Sequence, residues 1–289
     1  MEKIQKIDIN SAQYPKALKK IIDPPRILYF MGNLDIKNKL AFAVVGTRRC
    51  SDYGKQATIE IVTDLSRAKF VIVSGMAHGI DTIAHQTALE NNAKTIAVLG
   101  TGIDRKSIYP RENIELAEKI IEKGGAVISE FPPGTPGHKS NFPQRNRIVS
   151  GLSLGTIVIE AKFRSGALIT ANHAFQQKRK VFALPGSIYS PNSRGCHLLI
   201  KKGAKLVESA EDIINGLQLD LTIIKKEINP DNEEEKLIIE ILRNKKAMGI
   251  DEIIEKTKLT PAKTSSTLTG LEIKKIIKNL GGNIFALIR

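Results

Sequence analysis

The chain has 289 residues, of which 42% are hydrophobic and 26% charged, and its formal net charge is +14 at pH 7. This is ordinary globular usage, so the composition excludes disorder as the main state and suits about two domains. No apolar run reaches the ~18 residues of a membrane helix, so we predict neither a membrane span nor an exported protein. Cys50 and Cys196 lie too far apart for a zinc or redox motif, so we predict a reducing, cytoplasmic location and no metal or other cofactor.

Residues 1–39 are predicted to form a lead-in that packs on the next domain. It carries two turn signals, Asp23-Pro24-Pro25 and Gly32-Asn33. From Leu40 onward, short β-branched or apolar runs alternate with segments of helical periodicity. The predicted strands are Phe42 to Val45, Phe70 to Val73, Thr95 to Leu99, Ala126 to Ile128, Thr156 to Ile159 and Val181 to Leu184. The predicted helices are Tyr53 to Arg67, Ile80 to Asn91, Asn113 to Lys123, Gln144 to Leu152 and Leu168 to Gln177. This alternation predicts an α/β domain over residues 40–217, a parallel sheet with helices on both faces.

The remainder of the chain follows another pattern. Residues 218–233 contain Asn229-Pro230-Asp231 and a Glu triplet, which favours a linker. Residues 234–289 then show three amphipathic segments, Gly281-Gly282 and a short strand from Ile284 to Ile288. Three helices and a hairpin of this size predict a small winged-helix domain, with Thr260-Pro261 starting its third helix.

The positive charge is concentrated in the larger domain. The first 217 residues carry 31 basic and 19 acidic side chains, against 13 and 11 in the last 72. Basic clusters occur at Arg48-Arg49, Lys139 to Arg147, Lys162 with Arg164, Lys178 to Lys180 and Lys201 to Lys205. A polyanion is the natural partner of such a surface if the clusters converge.

Ligands of open parallel sheets bind at the carboxyl ends of the strands. Gly46-Thr47-Arg48 follows the first predicted strand, and Ser74-Gly75, continuing to Gly79, follows the second. Both loops precede helices, whose free N–H groups can hold a phosphate, and Arg48 adds a forked cation. Neither loop is a P-loop, and Gly100-x-Gly102 lacks the third glycine of the dinucleotide fingerprint, so we predict neither ATP nor NAD binding.

The densest polar and basic stretch runs from Asn141 to Arg147. The candidate DNA-binding side chains here are Lys139, which precedes the stretch, and, within it, Asn141, Phe142, Arg145, Asn146 and Arg147. The basic and amide side chains can grip phosphates or base edges, and the ring on a Pro-stiffened loop can stack on an unpaired base. Ser165-Gly166 offers a third helix start as a phosphate cradle.

Three patterns suggest other chemistry. Gly151-x-Ser153-x-Gly155 matches the hydrolase elbow, but a predicted helix precedes the serine and a strand follows it, which is the reverse of the required order. His78 and His85 could share a helical face but lack a third metal ligand. Glu130 and Glu160 sit at strand ends and could act as acids or bases.

In this order, these residues resemble the DNA processing protein A family, DprA, also called Smf. The similarity covers residues 14–216. Its motifs are Tyr14-Pro15, Asp23-Pro24-Pro25-x-x-Leu28-Tyr29-x-x-Gly32-Asn33, Val45-Gly46-Thr47-Arg48, Ser74-Gly75-x-Ala77-x-Gly79-Ile80-Asp81, Phe142-Pro143-x-Arg145-Asn146-Arg147-Ile148, Ser165-Gly166-Ala167-Leu168-Ile169-Thr170-Ala171 and Val181-Phe182-Ala183-Leu184-Pro185-Gly186. Many members carry a further N-terminal domain, and this chain begins about where that domain would end.

The resemblance implies an extended Rossmann-like fold that binds single-stranded DNA without sequence preference, forms a homodimer, and loads the RecA recombinase during natural transformation. It implies that Arg48 grips a phosphate, that Lys139 lines the groove, and that a base packs on Phe142. The family's dimer surface is expected near residues 195–204, here Leu198, Leu199 and Ile200. Cys196-His197 departs from the family's small residue and Asn at that surface.

Two alternatives remain open. One is a nucleotide-processing hydrolase on a Rossmann-like scaffold, using Glu160 or Glu130, although the Pro-Gly-Gly-x-Gly-Thr-x-x-Glu signature of such enzymes is absent. The other is a transcription regulator that acts through the winged helix, whose near-neutral charge argues against strong duplex binding of its own.

Overall fold

The computed structural model describes residues 3–35, 39–219, 230–244, 247–274 and 276–287. The chain divides into two compact units, Met1–Lys225 and Lys226–Arg289. Of the predicted linker, residues 220–229 lie outside the described part, as does Ile288 of the last predicted strand. Within the described residues, no helix combines the length and apolar character needed to span a bilayer.

A nine-stranded sheet organises the first unit. Its spatial order is β1-β2-β6-β5-β4-β3-β7-β8-β9. The strands are β1 (Gln5–Asp8), β2 (Ile27–Gly32), β3 (Ala41–Val45), β4 (Val71–Ser74), β5 (Thr95–Leu99), β6 (Ala126–Ser129), β7 (Gly155–Val158), β8 (Lys180–Ala183) and β9 (Lys205–Leu206). Strands β3 to β9 pair in parallel. The parallel sheet was predicted for β3 to β8, and β9 was not predicted. The chain moves along the sheet in one direction from β3 to β6 and in the other from β7 to β9, so a topological switch point lies between β3 and β7.

The lead-in differs from the prediction of a segment packed on the domain, because it contributes two strands to the sheet itself. Strand β1 pairs antiparallel with β2, and β2 pairs antiparallel with β6. Few residues of these two strands are buried, for example Ile7 in β1 and Leu28 in β2. A strand with one buried face lacks the continuous apolar run that marks the central strands.

Helices cover both faces of the sheet, as predicted. They are α1 (Lys16–Lys19), α2 (Asp52–Arg67), α3 (Ile80–Glu90), α4 (Ile114–Glu122), α5 (Asn141–Gly151), α6 (Gly166–Gln176), α7 (Arg194–Lys201) and α8 (Ala210–Leu217). Because β3 is buried on both sides, its alternate residues join different cores: Val45 packs in the cluster that includes Ile148 of α5, and Phe42 in the cluster that includes Ile61 of α2. The ring of Phe42 also contacts Phe70, with centroids 6.1 Å apart.

The second unit is a winged helix, as predicted. It consists of α9 (Glu233–Asn244), β10 (Met248–Gly249), α10 (Ile250–Thr257), α11 (Pro261–Ile273), β11 (Ile277–Asn279) and β12 (Ile284–Leu287). Its sheet has the order β10-β12-β11. Helix α11 begins as its sequence indicates: Thr260 caps it by accepting from the Lys263 N–H, and Pro261 is its first residue.

Candidate nucleic-acid interface

A cavity of about 920 Å³ opens at the carboxyl ends of β3, β4 and β7, at the switch point of the sheet. This is where open α/β sheets bind their ligands. Of the fourteen residues predicted to bind DNA, ten line it: Gly46, Thr47, Arg48, Gly75, Lys139, Phe142, Arg145, Asn146, Ser165 and Gly166. The wall holds six basic side chains and one acidic side chain, Asp81, so the predicted basic clusters do converge.

Arg48 and Phe142 lie against each other in the wall of this cavity. The guanidinium carbon of Arg48 lies 5.9 Å from the centroid of the Phe142 ring, within cation–π range. A second ring, Tyr109, stands 5.7 Å from Phe142 at an interplanar angle of 49° and is half-exposed. Gly100 leaves room for the Phe142 ring, since a Cβ there would lie 2.8 Å from a ring carbon. A cation and two rings therefore share one wall.

Phe142 lies on α5 and not in a loop, because the helix begins at Asn141, three residues earlier than predicted. In helical geometry Phe142, Asn146 and Val149 share a face, and all three line the cavity. Asn146 also joins α5 to α6, since its Nδ2 donates to the Gly166 carbonyl at 3.2 Å. Asn141, predicted to contact DNA, lies outside the cavity wall.

The loop that starts at Ser74 is not the open phosphate cradle that the sequence suggested. The N–H groups of Gly75 and Ala77 donate to the buried carboxylate of Asp81, at 3.1 and 3.4 Å. Burial raises the pKa of Asp81, while nearby Arg145 and these amides oppose the shift. Ser74 is buried and donates to the Val44 carbonyl at 2.6 Å. Gly79 is the N-cap of α3 and has a φ of +75°. A Cβ there would lie 2.4 Å from the Thr47 carbonyl oxygen, and Gly79 does not line the cavity.

The loop after β3, from Gly46 to Arg48, is also partly closed by a carboxylate of the protein itself. Glu160 accepts from the N–H and Oγ of Ser51, at 2.9 and 2.6 Å, and so occupies the start of α2. The Thr47 N–H donates to the Glu160 carbonyl at 2.8 Å. This loop therefore offers the exposed side chain of Arg48 to a ligand, and not the helix-end amides that we predicted to accompany it.

The start of α6 is the open one of the three. Ser165 caps the helix by accepting from the Ala167 N–H at 3.2 Å. A Cβ on Gly166 would meet no atom within 4 Å, so the helix end faces free space. Lys162 and Arg164 stand exposed beside it in the same wall. An anion here would meet backbone N–H groups, the positive helix end and two cations together.

Arg145 lines the cavity from beneath and does not reach out as a groove arginine. It is 5% exposed, and its guanidinium donates to the carbonyls of Gly75, at 2.5 Å, and Val98. Burial lowers its pKa to about 10, against the opposing charge of Asp81. Arg145 therefore fastens the ends of β4 and β5 and adds its charge to the cavity floor.

Arg147, also predicted to contact DNA, lies outside the cavity. Its guanidinium forms a bidentate salt bridge with Glu130, with N–O distances of 2.6 and 2.8 Å. It also donates to the carbonyl and the carboxylate of Asp23, at 2.9 and 3.0 Å. It is 7% exposed. The side chain ties α5 to the lead-in and to the loop after β6, so its role is structural.

The alternative chemistries find little support in this geometry. Ser153 is buried, follows α5 and precedes β7, which confirms the order that argued against a hydrolase elbow. His85 is buried against Thr95, and His78 lies 3.7 Å from Glu112. Glu130 and Glu160 are held in the contacts above and do not line the cavity.

The predicted dimer surface is only partly available. On α7, Leu199 is 1% exposed and belongs to the core, because it points at the sheet, so its assignment was wrong. Leu198 and Ile200 are half-buried. Leu206 of β9, which was not predicted, is 47% exposed at the edge of the sheet.

In the winged helix, basic residues of α11 and the next turn have acidic partners. Lys263 pairs with Glu234 at 3.0 Å, and Lys274 with Asp231 and Glu235, each at 2.5 Å. These pairs offset the charge that a recognition helix would present to a duplex.

Some wall residues were not predicted as part of the site. Tyr109 and Phe163 are exposed aromatic residues in loops, where no periodic pattern marks them. Lys162 and Arg164 were visible as a basic cluster, and Arg49 as the neighbour of Arg48. The signal that could have identified these three cations was their position directly after predicted strands.

The chain is similar to proteins of known family. Residues 5–218 match the family described as DNA recombination-mediator protein A, and residues 225–283 match the DprA winged helix domain. DNA processing protein DprA of Streptococcus pneumoniae is 48% identical over 201 residues, 70% of each chain, and the Bacillus subtilis protein of that name is 45% identical over 215 residues, 74% of this chain and 71% of the other.

Two solved structures are similar. The X-ray structure of DprA from Streptococcus pneumoniae gives a TM-score of 0.69 at 45% identity and covers 74% of both chains. A Helicobacter pylori structure of DNA processing protein A, which concerns its single-stranded DNA binding mode, gives a TM-score of 0.67 at 32% identity and covers 75% of this chain and 96% of that one. With a family match over residues 5–218, the chain belongs to the DNA recombination-mediator protein A family, DprA or Smf.

Proposed function

We propose that this protein binds single-stranded DNA without sequence preference in the cavity at the switch point. Exposed cations at Arg48, Lys139, Lys162 and Arg164 hold successive phosphates, and the open start of α6 holds one of them. A base stacks on Phe142, with Tyr109 beside it. These are contacts to phosphates and to ring faces, which every nucleotide carries, so they do not select a sequence.

One observation carries the proposal: the cation–π pair of Arg48 and Phe142 in a basic cavity. Within the described residues, no acidic side chain forms an ion pair with Arg48, Lys139 or Lys162, so their charge is available to a polyanion. A Phe ring beside an unpaired cation suits a phosphate and its base at neighbouring positions. The Helicobacter pylori relative, whose structure concerns single-stranded DNA binding, supports the same ligand here.

We infer that the protein protects incoming single-stranded DNA, loads RecA during natural transformation, and works in the cytoplasm without catalytic chemistry of its own. Family membership supports the recombination role. The hydrolase alternative would use Glu130 or Glu160, and neither lines the cavity, while Asp81 in its wall is held by the N–H groups of Gly75 and Ala77. The homodimer would use the sheet edge at β9 with Leu198, Ile200 and Leu206, since Leu206 leaves apolar surface exposed there.

The test is fluorescence anisotropy with labelled oligo-dT and a matching duplex over a salt series. Wild type should prefer the single strand, and each lost phosphate contact should reduce the log–log salt slope by about 0.7. Arg48→Ala and Lys139→Ala should each show that reduction, and Phe142→Ala should weaken binding about 5-fold or more without changing the slope. Arg67→Ala is the matched control, because Arg67 is a surface arginine of α2 paired with Asp64 at 3.0 Å. Unchanged affinity and slope in all three cavity variants would refute the site.

A further inference from the structure

The loop between β8 and α7, residues 184–193, presents large apolar side chains to solvent. Ile188 is 73% exposed and Tyr189 87%, and Tyr53 at the start of α2 is 51% exposed. The hydroxyl of Tyr53 donates to the Pro185 carbonyl at 2.7 Å, so its ring is fixed beside this loop. Single exposed apolar residues are normal on a protein surface, but a group that includes two tyrosines indicates a contact surface.

This loop adjoins the cavity. Strand β8 is the parallel neighbour of β7, so their carboxyl ends lie at one edge, about 4.8 Å apart. Asn192 fixes the loop to the cavity wall: its Nδ2 donates to the Arg49 carbonyl at 3.2 Å, and its own carbonyl accepts from the Ala161 N–H at 2.7 Å. A ligand that leaves the cavity past Arg49 therefore reaches this loop next.

The part of the cavity wall that follows β7 has the chemistry of a nucleic-acid track. Phe163 is 62% exposed, and the guanidinium carbon of Arg164 lies 5.7 Å from its ring. Lys162 and Arg49 are also exposed in the cavity wall. Cations and exposed rings together serve the phosphates and bases of a single strand.

We propose that the bound single strand continues out of the cavity past Phe163 and stacks a further base on an outer platform, formed by Tyr53, Ile188 and Tyr189. The inference rests on the proposed function and extends its site. Continuity with the cavity and the flanking cations favour DNA as the occupant. A second copy of the chain is the competing occupant.

The chain contains no tryptophan, so a single introduced indole reports its own surroundings. Tyr189→Trp places the reporter on the outer platform, and Phe142→Trp places it in the cavity. Each variant is titrated with oligothymidylates of about 4 to about 16 nucleotides, the range of site sizes of single-strand-binding modules. We expect quenching at Phe142→Trp with every length that binds, and quenching at Tyr189→Trp only above a threshold length.

Affinity provides a second readout. Tyr189→Ala should weaken binding of the longest oligonucleotide about fivefold or more and leave the shortest unaffected, because one stacked base is lost. Tyr189→Phe is the matched control that keeps the ring. Since Tyr189 is almost fully exposed, neither change threatens folding.

The outcomes separate the two proposals. If Arg48→Ala weakens binding but Tyr189→Trp is not quenched at any length, the outer platform is refuted and the cavity stands. If Arg48→Ala and Phe142→Ala leave binding unchanged, the cavity assignment itself fails. If Tyr189→Ala instead shifts the sedimentation coefficient toward a smaller species with DNA affinity intact, the surface belongs to a dimer contact and the platform is overturned.

Discussion

Replacing Arg147 and Arg48 by methionine, in separate variants, tests whether two arginines that look alike in the sequence have different roles in the structure. Methionine keeps much of the length of the side chain and removes the charge. Arg147→Met breaks the two-pronged contact to Glu130 and the contacts to Asp23. Arg48→Met removes an exposed cation over the Phe142 ring. We expect the first variant to lose stability and the second to lose DNA binding.

The expected size follows from burial. The side chains of Arg147 and Glu130 are only 9% and 10% exposed, and without Arg147 the Glu130 carboxylate keeps Gln144 as its hydrogen-bond partner, at 3.3 Å. Leaving one partner of a buried pair uncompensated costs about 3–5 kcal/mol of unfolding free energy. In a domain of this size, about 2–4 °C per kcal/mol gives a loss of about 6–20 °C in Tm.

The assay is thermal unfolding followed by circular dichroism, together with the salt dependence of oligo-dT binding below the transition. Arg147→Met should lower Tm with an unchanged salt slope, and Arg48→Met should keep Tm within about 2 °C while the slope falls by about 0.7. Glu130→Leu combined with Arg147→Met should recover part of the stability, since no buried charge is left unpaired. A normal Tm with a reduced slope in Arg147→Met would refute the structural assignment of this residue.

Three further predictions use other parts of the molecule. Burial, aided by the charge of Arg145, lowers the pKa of His85 from 6.5 to about 3, so between these values the unfolded chain binds a proton that the folded chain excludes. Stability should therefore decrease by about 1.4 kcal/mol for each unit by which the pH is lowered through that window, and urea unfolding of His85→Leu should show a shallower dependence. Gly166→Asp should leave Tm unchanged or slightly raised, because an acid suits a helix start, yet weaken oligo-dT binding by repelling a phosphate; equal affinity would contradict the open helix end. Gly75→Ala should lower Tm, because the new Cβ would lie 2.7 Å from both Arg145 and Asp81, and an unchanged Tm would contradict the packing of that loop.

The central fold was predictable because the strands β3 to β8 are buried on both faces and stand out as apolar runs between amphipathic helices. The strands β1 and β2 escaped prediction because each buries one face over a few residues. The start of α5 mattered most for the site. With the helix taken to begin at Gln144, Phe142 was placed in a loop before it, and Arg145 and Arg147 were grouped with Phe142 as one DNA-binding stretch. In a helix that begins at Asn141, Arg147 lies five residues beyond Phe142, about 140° around the axis, and so faces away from the cavity.

The phosphate cradles illustrate a different limit. Three loops, at Gly46, Ser74 and Ser165, each combine small residues with a following helix, so local sequence assigns them the same function. They differ in whether a carboxylate of the protein accepts hydrogen bonds from the groups before the helix, and in where in the chain that carboxylate lies. Asp81 closes the second from within its own helix, whereas Glu160 reaches Ser51 from 109 residues along the chain, a distance that local patterns do not span.

Closing two helix starts with internal carboxylates has a consequence for binding. A buried carboxylate on amide groups offsets the partial positive charge of a helix end, so a phosphate gains little there. Of the three helix starts, that of α6 is the one that no internal carboxylate occupies, and it lies next to Lys162 and Arg164. A single strand should therefore have one fixed phosphate position at Gly166 and looser, side-chain contacts elsewhere, since lysine and arginine side chains can follow a moving phosphate and backbone amides cannot. Contacts that are fixed at one phosphate and adaptable at the others suit the proposed binding of single-stranded DNA without sequence preference.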